Sequence, residues 1–127
     1  MKIAYIIVRS LLGAMLLLGS VSYFYMLATN KMPPTPAGAA QTYMAGISLA
    51  NILNIVKAIE LICGIFFVIG RFNALTAVVI FPILINIALF HAYIEPSGVA
   101  VALALIIADL FIAYYYRDKY KPLFESK

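Results

Sequence analysis

Two side chains of opposite charge, Lys57 and Glu60, stand three residues apart inside the apolar run NIVKAIELICGIFFVIGR, residues 54–71. On a helix that spacing puts them side by side on one face, where they can pair. Facing lipid alone, each would cost about 2.5–3.5 kcal/mol on an insertion scale. Such groups serve as a clasp between helices, as a site for a polar headgroup, or as a path for protons. Two further ionisable groups lie in similar surroundings: Arg9 in RSLLGAMLLLGS and Asp109 in VALALIIADLFIAYYY. His91 and Glu95, in NIALFHAYIEPSG, are one helical turn apart and could bond to each other or share a proton.

Other chemistry is poorly represented. His91 is the single histidine, so a bis-histidine haem is impossible within one chain. With no third ligand near His91 and Glu95, no metal site is expected. Cys63 is the single cysteine, which excludes an internal disulfide, and it reads as a small packing hydrophobe. Asn86 falls about 140° around a helix from His91, so the two are not expected to share a partner. There is no nucleophile–base set, cofactor loop or metal cage, so an autonomous enzyme is not expected.

The elements that carry these groups follow from composition. The 127 residues are 65% hydrophobic and 11% charged, with a mean hydropathy of +1.04. A soluble domain of this size cannot bury so much apolar surface, so lipid must be part of its solvent. The pattern predicts an all-α, four-helix transmembrane bundle as a single membrane domain, residues 1–127. Its helices are expected at about 3–28, 44–70, 72–93 and 99–116. The first is read as a retained helix, being too long for a signal peptide and interrupted by Arg9. A proline-rich outer loop is expected over 30–42, and Pro82 is tolerable inside the third helix.

The net charge of +4 does not point to nucleic acid, because the cations flank the helices. With both termini cytoplasmic, Lys2, Arg71, Arg117, Lys119, Lys121 and Lys127 lie inside and Lys31 outside. Tyr23, Phe24, Tyr25, Tyr43 and Tyr93 then fall at the outer interface, and Tyr5, Phe72 and Tyr114 to Tyr116 at the inner one. At 1.5 Å per residue, Arg9, Asp109 and Glu60 come about 9, 12 and 15 Å deep, with Lys57 a turn further out. Two cations and two anions share this band and are expected to face one another. The stripes Arg9–Gly13–Leu16–Ser20, Asn54–Lys57–Glu60–Gly64 and Gly98–Ala102–Leu105–Asp109–Ala113 are mostly small or polar, which suits close helix approach.

The segments RSLLGAMLLLGS, ELICGIFFVIGRFNALTAVVIFP and NIALFH with the following PSG, in that order and spacing, resemble the DoxX family of small four-helix bacterial membrane proteins. The basic tail AYYYRDKYKPL is similar too, and the resemblance covers nearly the whole chain. It implies a protein of the cytoplasmic membrane, related to subunits of quinol oxidase, thiosulfate–quinone and detoxifying redox complexes. Arg9, Glu60, Arg71 and His91 match the family's recurring polar positions; Lys57 and Asp109 are not carried over, and KMPPTP looks like a subgroup feature. The expected function is a membrane subunit of a quinone-linked redox complex, with a partner subunit or a second copy of the chain. Glu60, His91 and nearby tyrosines would meet a quinone headgroup. The alternatives are a carrier or binder of a small amphipathic solute and a structural partner subunit.

Overall fold

The computed structural model describes residues 2–124. Four helices are long and apolar enough to cross a membrane. They are α1 (Lys2–Ala28), α3 (Ile52–Ile69), α4 (Asn73–Tyr93) and α5 (Val99–Tyr115), the last preceded by a 3₁₀ turn at Pro96–Gly98. A short helix, α2 (Ala39–Ser48), lies between α1 and α3, and α6 (Arg117–Tyr120) and a 3₁₀ turn at Lys121–Phe124 follow α5. The long helices alternate in direction and form a ring in which α1 packs on α3, α3 on α4, α4 on α5 and α5 on α1. This is the all-helical bundle expected of a multi-pass membrane protein. Large apolar side chains such as Leu11, Leu18, Ile62, Leu75 and Ile107 face outward, where lipid would cover them. Lys127, counted above among the tail cations, lies outside the described residues.

Helix rotation follows the small and polar stripes. In α1, Leu12, Gly13, Leu16 and Ser20 are buried, and in α3, Glu60, Cys63, Gly64 and Phe67. Gly13 and Gly64 meet where these helices cross. A Cβ on Gly64 would come 3.1 Å from the Gly13 carbonyl, and one on Gly13 would come 3.0 Å from the Gly64 carbonyl. Association in lipid relies on close packing rather than on a hydrophobic drive, so this contact is a main support of the α1–α3 pair.

The expected second helix, 44–70, is broken. Leu49–Asn51 forms a turn between α2 and α3, with Asn51 in the left-handed region at φ 56°. Asn tolerates that conformation better than most residues, and it ends helical hydrogen bonding without any change in hydropathy. Leu49, 89% exposed, sits at the corner. Helix α2 also begins earlier than expected, at Ala39, so the outer loop is confined to 29–38. Its Ala40 is buried and Tyr43, Met44 and Ile47 are half-buried, at the spacing of one helical face turned to the bundle. At the other end of α3, Gly70 takes φ 77°, and its N–H and that of Arg71 both donate to the Phe66 carbonyl at 2.9 and 3.1 Å. The turn brings α4 back beside α3.

Two of the aromatics expected at the interfacial levels, Tyr5 and Tyr23, are buried between helices. Tyr5 and Tyr116 share a hydrogen bond of 2.5 Å, Asn73 Nδ2 donates to Tyr5 at 2.6 Å, and Tyr5 stacks on Tyr115 at 4.0 Å. Tyr23, also buried, donates to Asn54 Oδ1 at 2.5 Å. A tyrosine can be buried where its hydroxyl finds a partner, and each of these does.

Candidate functional site

The Lys57–Glu60 pair forms as expected, with Nζ 3.1 Å from Oε2. Glu60 is buried at 4% exposure, whereas the Lys57 side chain keeps some access. Lys57 Nζ also lies 5.8 Å from the centre of the Tyr23 ring, whose hydroxyl holds Asn54. The polar stripe of α3 thus lies against α1 at Tyr23 and then turns toward α4.

The expected band of four mutually facing charges is not formed. Arg9 Nη1 donates to the carbonyls of Phe67 and, at 3.2 Å, of Val68. Its guanidinium packs over Gly70, where a Cβ would come 2.7 Å from Nη1. Arg9 therefore caps the C-terminus of α3, where unpaired carbonyls and the helix dipole favour a cation. Asp109 is buried at 1% exposure, and among the described residues no cation lies within 4.0 Å of it. Its Oδ1 has no hydrogen-bond partner among the described residues. The two charges were grouped by depth, but helix rotation sends Arg9 to α3 and Asp109 to the contact between α4 and α5.

The second expected pair is also altered. His91 Nδ1–H donates to the backbone carbonyl of Glu95 at 3.0 Å, so the Glu95 carboxylate is not its partner. The chain bends after Tyr93, and this carbonyl swings back over the ring. Gly98 completes the fit, since a Cβ there would run into the imidazole. With Nδ1 committed, Nε2 is the nitrogen left to a neutral ring for accepting a bond.

A cavity of about 220 Å³ joins these features. Lys57 and Glu60 of α3, Asn86 and His91 of α4, and Tyr43 and Met44 of α2 all line it. Asn86 Nδ2 donates to the Tyr43 hydroxyl at 2.7 Å, and the Tyr43 ring packs on Phe90 at 4.9 Å. Asn86 and His91 both line the cavity but bond to different partners, Tyr43 and the Glu95 carbonyl, as their angular separation leads one to expect. Helix α2 roofs the cavity through Tyr43, Met44 and Ile47. The role of α2 was missed because hydropathy merged it with α3; the small-residue and asparagine turn at 48–51 was the available signal. The remaining walls are apolar, chiefly Leu53, Val56 and Ile87.

Elsewhere, Cys63 is buried, as a packing residue would be. Asp118 and Lys121 form an exposed pair at 2.9 Å; the hydrogen bond and charge of Lys121 hold the Asp118 carboxyl below its ordinary value. Exposed as it is, the pair adds little stability. No family model, curated protein or solved structure matches this chain.

Proposed function

We propose that this chain binds the headgroup of a membrane-dissolved quinone or quinol, as a subunit of a redox complex in the cytoplasmic membrane. Both termini would be cytoplasmic. The observation that carries this reading is the convergence of Lys57, Glu60, Asn86 and His91 on one apolar-walled cavity. Quinone headgroups need a donor for a carbonyl oxygen and an acceptor for a quinol hydroxyl. The ammonium of Lys57 supplies the first, and the Glu60 carboxylate or His91 Nε2 the second. Apolar walls suit the ring and the start of its tail. The redox setting and the partner subunit rest on the resemblance to the DoxX family, and the orientation on the one-sided distribution of Lys and Arg.

A second reading, a carrier of a small amphipathic solute, draws on the interruption at Leu49–Asn51 beside the cavity, since carriers often place sites at broken helices. Binding of decylubiquinone to the chain in nanodiscs tests the first reading. Saturable binding is expected, weakened about tenfold or more in Glu60→Gln and Lys57→Met, as loss of a charge-assisted hydrogen bond implies. Equal binding by wild type and both variants would exclude this cavity as the headgroup site.

A further inference from the structure

A second groove lies on the opposite side of α4. It measures about 450 Å³, and its walls include Phe81, Pro82, Asp109, Leu110, Tyr120 and Phe124. Helices α4 and α5 form the two sides, and the segment 117–124 folds back along it. Tyr120 anchors that segment by donating its hydroxyl proton to the Ala74 carbonyl at 2.7 Å. Desolvation first, then the nearby charge of Asp109, keeps this phenol above its ordinary pKa. Among the described residues no lysine, arginine or histidine side chain lines the groove, and the tyrosine's single donor is already used.

The polar atom it leaves without a partner among the described residues is an acceptor. Asp109 Oδ1 is buried and unpartnered. Pro82 has no N–H, so the Val78 carbonyl, also in the groove wall, loses the helical donor four residues on. An unpaired acceptor in apolar surroundings is costly, and an isolated carboxylate more so. A donor that carries positive charge would satisfy the Asp109 oxygen. Phe81 and Phe124 add aromatic surface of the kind that favours a cation.

We infer that the groove between α4 and α5 binds a lipophilic amine, its ammonium on Asp109 and its apolar body along Phe81, Leu110 and Phe124. The groove shares no lining residue with the Lys57–Glu60 cavity, so the two sites stand or fall separately. Its outward-facing members, among them Val78 and Leu110, leave it open on the side where lipid would lie, which gives an amphipathic ligand a lateral entry.

The test uses radiolabelled 1-aminoadamantane and the full chain in nanodiscs of zwitterionic lipid, with empty discs as background. Saturable binding above background is expected, with 1-adamantanol, the neutral analogue of the same shape, displacing it poorly. Asp109→Asn should weaken binding at least about tenfold, because it removes the charge from a buried ion pair. Ala113→Leu, which narrows the groove and leaves the carboxyl in place, should weaken it too. Should Asp109→Asn not fold, the comparison of amine with alcohol and the Ala113→Leu variant decide the matter. Uptake no greater than in empty discs, equal displacement by the alcohol, or full binding by a folded Asp109→Asn protein would each overturn the site.

Discussion

Glu60, Asp109 and the half-buried Arg9 have each found a different kind of environment. Glu60 has an ion-pair partner on its own helix, Arg9 has carbonyls of a neighbouring helix, and Asp109 has an unpaired oxygen in an apolar wall. Only the first of these is a close charge pair, so coupling energy should concentrate there. Glu60→Gln preserves shape and leaves Lys57 without its anion, and it should cost about 1–3 kcal/mol. Lys57→Met in the same chain should recover part of that loss, giving a non-additive cycle in detergent unfolding. Strict additivity would mean that the two side chains are not coupled in the folded protein. Asp109→Asn, by contrast, should not be rescued by any change at Lys57, because the two belong to separate sites.

At the scale of elements, the crossing of α1 and α3 depends on two glycines, each of which lies close to the other's backbone carbonyl. Gly64→Leu would push a Cβ against Leu17 Cγ, at 2.9 Å, and the Gly13 carbonyl, at 3.1 Å. The leucine could rotate away but the carbonyl could not, so the helices must separate. A loss of about 1–3 kcal/mol is expected from overpacking of this kind. Gly19→Leu is the matched control, because nothing lies within 4 Å of a Cβ there. Unfolding curves that place the two variants together would show that the crossing does not depend on close approach. The same scale explains α2: its half-buried face closes the first cavity, and the turn at Asn51 sets the angle at which it does so.

For the whole molecule, the alternating ring puts both described ends of the chain on one side, with the 29–38 loop and the 3₁₀ turn at Pro96–Gly98 on the other. The cations Lys2, Arg71, Arg117, Lys119 and Lys121 lie on the first side, and in the orientation proposed above that side would face the cytoplasm. Single cysteines in a Cys63→Ala background report this directly. A membrane-impermeant maleimide should label Thr35→Cys in intact cells and Lys121→Cys only after lysis. Labelling of Lys121→Cys alone in intact cells would reverse the orientation, and labelling of both would contradict the alternating arrangement.

Some of this architecture was legible in the residues themselves. Four apolar stretches, the stripe through Gly13, Leu16 and Ser20, and the pairing of Lys57 with Glu60 all depend on local quantities: hydropathy summed along a segment, and a rotation of 100° per residue. The break at Asn51 was hidden because Leu49 and Ala50 keep the segment apolar while the backbone turns. The partner of Arg9 was hidden for a different reason. Its acceptors are the main-chain carbonyls of Phe67 and Val68, which every residue possesses and no pattern marks. Depth placed Arg9, Glu60 and Asp109 in one band, but depth is a single coordinate. Which neighbour each side chain meets depends on how the helices are rotated and shifted against one another. Close packing at contacts such as Gly13 against Gly64 sets that arrangement, and only the assembled bundle contains it.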